Sequence, residues 1–449
     1  AEDGIRDYRV TGVQTCALPI WQLERSLPFA LTAAQRRVAA EIAGDLAQSS
    51  PMQRLLQGDV GCGKTVVAAL AACQAIEAGY QVALMAPTEI LAEQHFLKLR
   101  GWLEPLAVEV LWLTGSLAGK LKRQRQQQAA TSAQLIVGTH ALIQERIDFS
   151  RLGLIIVDEQ HRFGVRQRLA LRRKGGNPHQ LMMSATPIPR TLAMSYYADL
   201  DVSLIDQMPP GRTPVRTRLF STARRAQVVA AVRAAVAGGR QAYWVCPLIE
   251  GSEKVDLQPA LDTYAALSAE LVDLRIGLVH GRLRSEEKAA VMAAFVAGEI
   301  DLLVATTVIE VGVDVANASL MVIEHAERFG LAQLHQLRGR VGRGAHESVC
   351  VLLYQPPLSA SARARLKIIF EHDDGFEIAR QDLRLRGPGE FVGSRQSGEP
   401  LLRHADLESD VDLVELAQAM AVQLLRDRPQ DAGRHLQRWL GEREDLLRA

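Results

Sequence analysis

The chain has 449 residues, with 52 basic against 51 acidic side chains, 48% hydrophobic and 23% charged residues. At roughly 100–200 residues per domain this is enough for two to four domains, and the balance excludes a disordered polycation, a collagen and a coiled coil. No run of ~18 apolar residues offers a membrane span, while a net charge of +1 still leaves room for a local basic groove on nucleic acid.

Residues 1–20 show neither helical nor strand periodicity, and DYRVTGVQTCALPI resembles the translation of a sequencing adapter. They are expected to be a non-native or disordered leader and are set aside. From Leu31 onward, short apolar runs alternate with helical patterns. Apolar Met52–Leu56 comes first, and strands are expected at Gln81–Ala86, Leu135–Gly138, Leu154–Val157 and Leu181–Met183. Lys64–Ala78 is apolar nearly all round and stops at Gly79, which predicts a buried helix with a glycine past its end. This alternation implies an α/β fold with parallel sheets.

Between Met52–Leu56 and that helix stands GDVGCGKT, Gly58 to Thr65. A phosphate-binding loop needs glycines at Gly58, Gly61 and Gly63 so that backbone N–H groups can approach closely, and a helix N-terminus aimed at negative charge. Lys64 is then placed for the β- and γ-phosphates and the Thr65 hydroxyl for Mg²⁺. The apolar strand Leu154–Val157 runs into Asp158 and Glu159, which puts two carboxylates at the carboxyl edge of the sheet, where ligands bind. Asp158 suits the metal, and Glu159 suits orienting and deprotonating an attacking water.

MPPGRTP at Met208–Pro214 can continue neither helix nor central strand, and a linker is assigned to 208–218. A second alternating block follows over 219–357, with strands at Ala242–Cys246, Arg275–Val279, Leu302–Ala305, Leu320–Ile323 and Val349–Leu353. Residues 358–449 read as helices around one irregular loop, Gly387–Gly398. The five cysteines, Cys16, Cys62, Cys73, Cys246 and Cys350, are odd in number and include no C-x-x-C pair. They suggest a reducing compartment, with neither a disulfide framework nor a zinc site.

DEQH at Asp158–His161, with this loop upstream, resembles the DExx box of superfamily 2 helicases. Further segments resemble that superfamily's motifs in order: Ala86–His95, Val137–His140, Ser184–Thr186, Ala305–Asp314 and Gln336–Arg343. Within the superfamily, DEQHRFGVRQR, SATPIPR, QAYWVCPLIE, VHGRL and the segment Asp374–Glu390 resemble the RecG family of branched-DNA helicases over about Trp21–Ala449. The last segment is similar to the translocation motif that this family shares with the transcription-repair coupling factor Mfd.

The resemblance implies two tandem RecA-like motor domains, the first over 21–207, plus a helical C-terminal extension. It implies ATP and Mg²⁺ as cofactors, bound by Gln35 (adenine), Gly58, Gly61, Gly63, Lys64, Thr65, Asp158, Gly312 and Asp314. Lys64, Glu159, Arg340 and Arg343 are then the catalytic set, the two arginines being spaced for one helix face and able to meet the γ-phosphate. Ser184, Thr186, His161, Arg384, Arg386, Arg395 and Gln396 are expected to contact or couple to DNA. Arg338, in the same segment as Arg340 and Arg343, is a further candidate for the γ-phosphate. The histidines at 95, 140, 280 and 335 read as structural.

Expected partners are DNA forks, Holliday junctions and duplex, with a single-stranded-DNA-binding protein as a candidate and no membrane. A cytoplasmic monomer is expected. The family's N-terminal wedge domain has no counterpart in this sequence, which therefore reads as the motor half. Ala316 stands where motif V is usually followed by proline. The competing readings are an Mfd-like translocase, an RNA helicase and a nucleotide-binding switch that does no work.

Overall fold

The computed structural model describes residues 19–115, 119–144, 147–159, 163, 171, 174–185, 200–210, 214–247, 258–306, 315–344, 346–386 and 411–440. Two parallel sheets carry these residues. The first has strands β1 (Gln53–Gly58), β2 (Gln81–Met85), β3 (Val110–Leu113), β4 (Leu135–Gly138), β5 (Leu152–Val157), β6 (His179–Ser184) and β7 (Asp201–Ile205), in the order β3-β4-β2-β5-β6-β1-β7. The second has β8 (Val215–Ser221), β9 (Gln241–Val245), β10 (Ile276–Val279), β11 (Leu302–Ala305), β12 (Ala318–Ile323) and β13 (Ser348–Tyr354), in the order β10-β11-β9-β12-β13-β8.

Both sheets are covered on both faces, as continuous apolar strands such as LIIV in β5 require. One face of the first sheet packs on helices α1 (Pro19–Ser26), α2 (Ala33–Leu46), α3 (Lys64–Glu77) and α4 (Glu89–Leu103) through a core including Leu23, Val38, Val67, Leu99 and Ile156. The other packs Met85, Ile136, Ile155 and Val157 against Ala129 of α5 (Gly119–Thr131) and its neighbours. The second sheet lies between α6 (Arg225–Ala237) with α7 (Gln258–Glu270) on one face and α8 (Ser285–Val296) with α9 (Leu331–Arg338) on the other. Helices α10 (Ala360–Glu371) and α11 (Gly375–Arg386) extend that second core through Leu366, Ile369 and Ile378. Helices α12 (Val411–Asp427) and α13 (Pro429–Leu440) close the described chain.

The buried helix expected after the glycine loop is α3. It ends as its sequence dictates: Gly79 adopts φ +79°, its N–H bonds the Ile76 carbonyl at 2.9 Å, and the Tyr80 N–H bonds that of Ala75 at 3.0 Å. The two blocks also share one device without sharing sequence. The amide of Gln81, heading β2, donates to the carbonyls of Ala129 and Ala133 at 2.8 and 2.7 Å. Gln241, heading β9, donates to those of Phe295 and Ile300 at 2.6 and 2.7 Å. Each satisfies carbonyls left open where a helix ends.

Two features differ from expectation. The linker assigned to 208–218 is shorter, because Val215–Arg218 already pair with Ser348–Val351 of β13. Strands β3, β7 and β8 are additions to the expected set, and all three are edges. An edge strand needs only one buried side, so Arg216 and Arg218 alternate outward in β8 and interrupt any apolar run.

Candidate active site

Strand β1 ends at Gly58 and α3 begins at Lys64, so the intervening loop must reverse within five residues. Gly61 and Gly63 do this at φ +81° and +92°, a region where glycine carries no Cβ clash. A Cβ on Gly58 would strike the Cys62 sulfur, and one on Gly63 would strike the Gln35 amide. The first turn of α3 presents its N–H groups to the concavity. The Lys64 ammonium rests on the carbonyls of Gly58 and Asp59 at 2.7 and 3.1 Å. Gln35 is buried beneath the loop. Its Oε1 accepts from the Thr32 N–H at 2.8 Å, and its Nε2 donates to the Cys62 carbonyl at 2.8 Å. The side chain expected at adenine therefore also caps α2 and braces the loop.

Strand β6 lies between β1 and β5. Its register sets Ser184 beside Gln57 and Met182 beside Val157, so the glycine loop, Ser184–Ala185 and Asp158–Glu159 leave the sheet side by side. Both carboxylates are buried. Asp158 Oδ2 is 2.6 Å from His95 Nε2, and its Oδ1 accepts from the Glu159 N–H at 3.0 Å. Burial alone would raise the Asp158 pKa, but the His95 hydrogen bond and the charges of His95 and Lys64 outweigh it and hold the carboxyl below its ordinary range. Glu159 goes the other way: burial and the Asp158 charge push it up to about 7, against the pull of Lys64, Arg340 and the Ala185 N–H. Its backbone turns at φ +49°, a left-handed conformation that costs a non-glycine residue about 1 kcal/mol or more.

The second domain reaches this edge through α9 and the residues after it. The N–H of Gly339 caps α9 on the His335 carbonyl at 3.0 Å, and Gly339 packs so tightly on Val60 that an added Cβ would stand 2.7 Å from it. Arg340 follows, buried, with its charge acting on Glu159. Arg340 and Arg343 were expected on one helix face. They lie instead beyond the helix, because α9 ends at Gly339 and Gly342 turns at φ +82°.

Arg338 does not enter the cleft. Its Nη1 bonds the carbonyls of Ile369 and His372, each at 2.9 Å, and its Nη2 bonds His335 Nδ1 at 3.0 Å and the Asp373 carbonyl at 3.1 Å. Ser184 is buried at the end of β6, and Thr65 lies half-buried at the start of α3. Arg384 is exposed on α11, whose last residue is Arg386. His161, Thr186, Gly312, Asp314, Arg395, Gln396 and the loop Gly387–Gly398 lie outside the described residues.

Three contributors were not singled out beforehand. His95 and His335 read in sequence as structural, yet His95 holds Asp158, and His335 Nε2 meets Asp59 Oδ1 of the glycine loop at 2.6 Å. The signal for His95 lay in its phase: it shares the buried stripe of α4 with Leu91, Ala92 and Leu99, where a polar side chain needs a partner.

Three family models match in chain order: DEAD/DEAH box helicase over 32–195, helicase conserved C-terminal domain over 227–345, and ATP-dependent DNA helicase RecG, domain 3, C-terminal, over 372–437. Curated proteins described as ATP-dependent DNA helicase RecG are similar at high identity. That of Acidithiobacillus ferridurans is 57% identical over 93% of this chain and 61% of its own length. That of Escherichia coli K12 is 56% identical over 94% and 62%, and that of Bacillus subtilis 50% identical over 89% and 59%. The chain thus spans about three fifths of these relatives. A solved structure of RecG bound to a three-way DNA junction superposes with a TM-score of 0.72 at 46% identity, covering 88% of this chain and 51% of that one. The yeast Dbp5 structure with RNA and ADP BeF3, at 16% identity and a TM-score of 0.61 over 82% of this chain and 97% of that one, shares the fold. From the glycine loop through the paired carboxylates to the C-terminal helices, the chain is similar to the RecG family of ATP-dependent DNA helicases.

Proposed function

We propose that the chain is an ATP-driven motor that moves along duplex and branched DNA, acting on forks and Holliday junctions. The observation that carries this reading is the meeting of two domains at one cleft. Lys64, Asp158 and Glu159 come from the first sheet, and Arg340 comes from the second with its charge acting on Glu159. The junction-bound relative and the match of residues 372–437 to a RecG domain support DNA as the track.

In this reading Lys64 leaves its resting carbonyls for the β- and γ-phosphates, and the N-terminus of α3 supplies further N–H donors. Asp158 and Thr65 offer the hard oxygen donors that suit Mg²⁺, and His95 fixes the carboxylate that would hold it. Mg²⁺ would neutralise charge on the phosphate oxygens. Glu159, with its raised pKa and its Ala185 N–H contact, orients water and takes its proton. Arg340 stabilises the charge on the transferring phosphoryl group, with Arg343 assigned the same task. Since Arg340 belongs to the second domain, this contact exists only while the cleft is closed, which links hydrolysis to domain motion.

The decisive measurement is ATP turnover and strand separation with and without a synthetic fork. Turnover stimulated by DNA, together with ATP-dependent unwinding, is expected. Equal turnover in the absence of DNA, with no strand separation, would leave a nucleotide switch instead.

A further inference from the structure

Asp59 is the second residue of the glycine loop and carries out none of the steps above. Its side chain is 14% exposed, and its Oδ1 accepts from the Val60 N–H at 2.5 Å and meets His335 Nε2 at 2.6 Å. His335 is 7% exposed and stands on the last turn of α9, in the other domain. The network assigns its tautomer: Arg338 Nη2 donates to Nδ1 at 3.0 Å, so Nδ1 accepts and Nε2 carries the proton given to Asp59. The bond is sealed by a third element. Gly375, the first residue of α11, packs on it so closely that a Cβ there would stand 2.6 Å from His335 Nε2 and 3.1 Å from Asp59 Oδ1.

We infer that Asp59 and His335 form a latch across the cleft, two positioning residues that set Arg340 against Glu159 and pass the state of the loop to helix α11. Geometry supplies both halves. His335 lies five residues before Arg340, with only Gly339, fitted onto Val60, between the helix and that arginine. The loop end of the latch is not passive, because Lys64 rests on the carbonyl of Asp59 itself. Drawing the ammonium onto a phosphate releases that carbonyl and lets the loop move under the latch. At the far end, the bare backbone of Gly375 follows any shift of the pair directly. This inference rests on the motor reading, since it assigns its effect to Arg340.

The test uses the full chain with a synthetic fork. It compares the parent with Lys64→Ala, Asp59→Ala, His335→Ala, the double variant, Asp59→Asn and Gly375→Ala, with thermal midpoints confirming that each is folded. Asp59→Ala and His335→Ala are each expected to lower kcat by about tenfold while KM for ATP stays within about twofold, because the latch acts on the arginine rather than on nucleotide binding. The double variant should be no worse than either single one, since the two residues act through one bond. Asp59→Asn should recover most of the loss, as its amide oxygen still accepts from Nε2–H. Gly375→Ala, which forces the pair apart, should lose strand separation per ATP. Parental kcat in Asp59→Ala beside a dead Lys64→Ala would overturn the latch alone. So would additive losses, or a change in midpoint without a change in kcat. An active Lys64→Ala would overturn the motor reading, and the latch with it.

Discussion

His95 Nε2 stands 2.6 Å from Asp158 Oδ2, across 63 residues of sequence, and both side chains are buried. The imidazole therefore fixes the orientation of a carboxylate that emerges at the end of β5 beside the glycine loop. Removing it leaves a buried charge with one fewer partner, at a cost of about 1–3 kcal/mol. The Asp158 pKa is held low in the folded state, so its contribution to stability is present above the ordinary carboxylate range and fades as pH falls through the lowered value. His95→Ala should accordingly lower the thermal midpoint at pH 7. It should also raise the Mg²⁺ concentration for half-maximal ATP turnover by about 10–100-fold, as losing a residue that orients a metal ligand does. A magnesium titration of ATPase activity checks this. An unchanged midpoint and Mg²⁺ dependence would show that Asp158 needs no such support.

Glu159 gives an effect of opposite sign. With its pKa pushed up to about 7, the folded chain keeps a proton that the unfolded chain loses in the ordinary carboxylate range. The folded state binds more protons across that window, so this residue's contribution to stability falls as pH rises toward neutrality. Glu159→Gln removes the effect, and its thermal midpoint should exceed the parent's by a margin that widens from acid to neutral pH. The same substitution keeps the shape and loses the base, so ATP should bind near normally while kcat drops by about 10²-fold or more. The parent's kcat should rise through an apparent pKa near that of the Asp158–Glu159 pair. A variant with equal loss of binding and turnover would make Glu159 a structural residue.

DNA contact should run mainly through phosphate. Arg384 stands exposed on α11, beside the equally exposed Arg380, and such contacts position a duplex without reading it. Affinity should fall by on the order of 10³-fold between 50 and 200 mM salt if several phosphates are neutralised, with little difference between fork and linear duplex. Binding isotherms on both substrates at several salt concentrations decide it. A strong, salt-resistant preference for the fork would place junction recognition within these residues.

How much of this was legible beforehand follows from distance along the chain. The glycine loop needs contiguous residues, and the two carboxylates are adjacent, so both stand in the sequence as they act. The central strands are continuous apolar runs and are equally plain. What failed was of three kinds. Edge strands such as β7 and β8 are half-exposed, so Arg216 and Arg218 broke the pattern that marks a buried strand. Partnerships such as His95 with Asp158, or Asp59 with His335, join residues 63 and 276 positions apart, and no local spacing encodes them. The helix expected under Arg340 and Arg343 failed for a third reason: Gly339 caps the end of α9 before Arg340, and Gly342 turns the chain again beyond it.

Arg338 supplies the last prediction, because its contacts set it apart from Arg340, two residues on, to which the catalytic role is assigned. Arg338 is 3% exposed, and its guanidinium gathers α9, Thr217 of β8 and the turn between α10 and α11, reaching Asp373 Oδ1 at 3.2 Å and Thr217 Oγ1 at 3.3 Å besides the carbonyls described above. Those carbonyls belong to the end of α10 and to the turn after it, and that of Ile369 is buried. Arg338→Ala removes their side-chain donor and should cost about 1–3 kcal/mol. Arg338→Lys keeps the charge but offers one compact ammonium where a planar fork spans several acceptors, so it should restore only part of the loss. Hydrogen exchange is the direct measurement. The amides of α10 and α11 should lose protection in Arg338→Ala, while those of α3 and the first sheet stay as in the parent. Undiminished protection of α10 and α11 would mean that Leu366, Ile369 and Ile378 hold these helices to the second domain unaided.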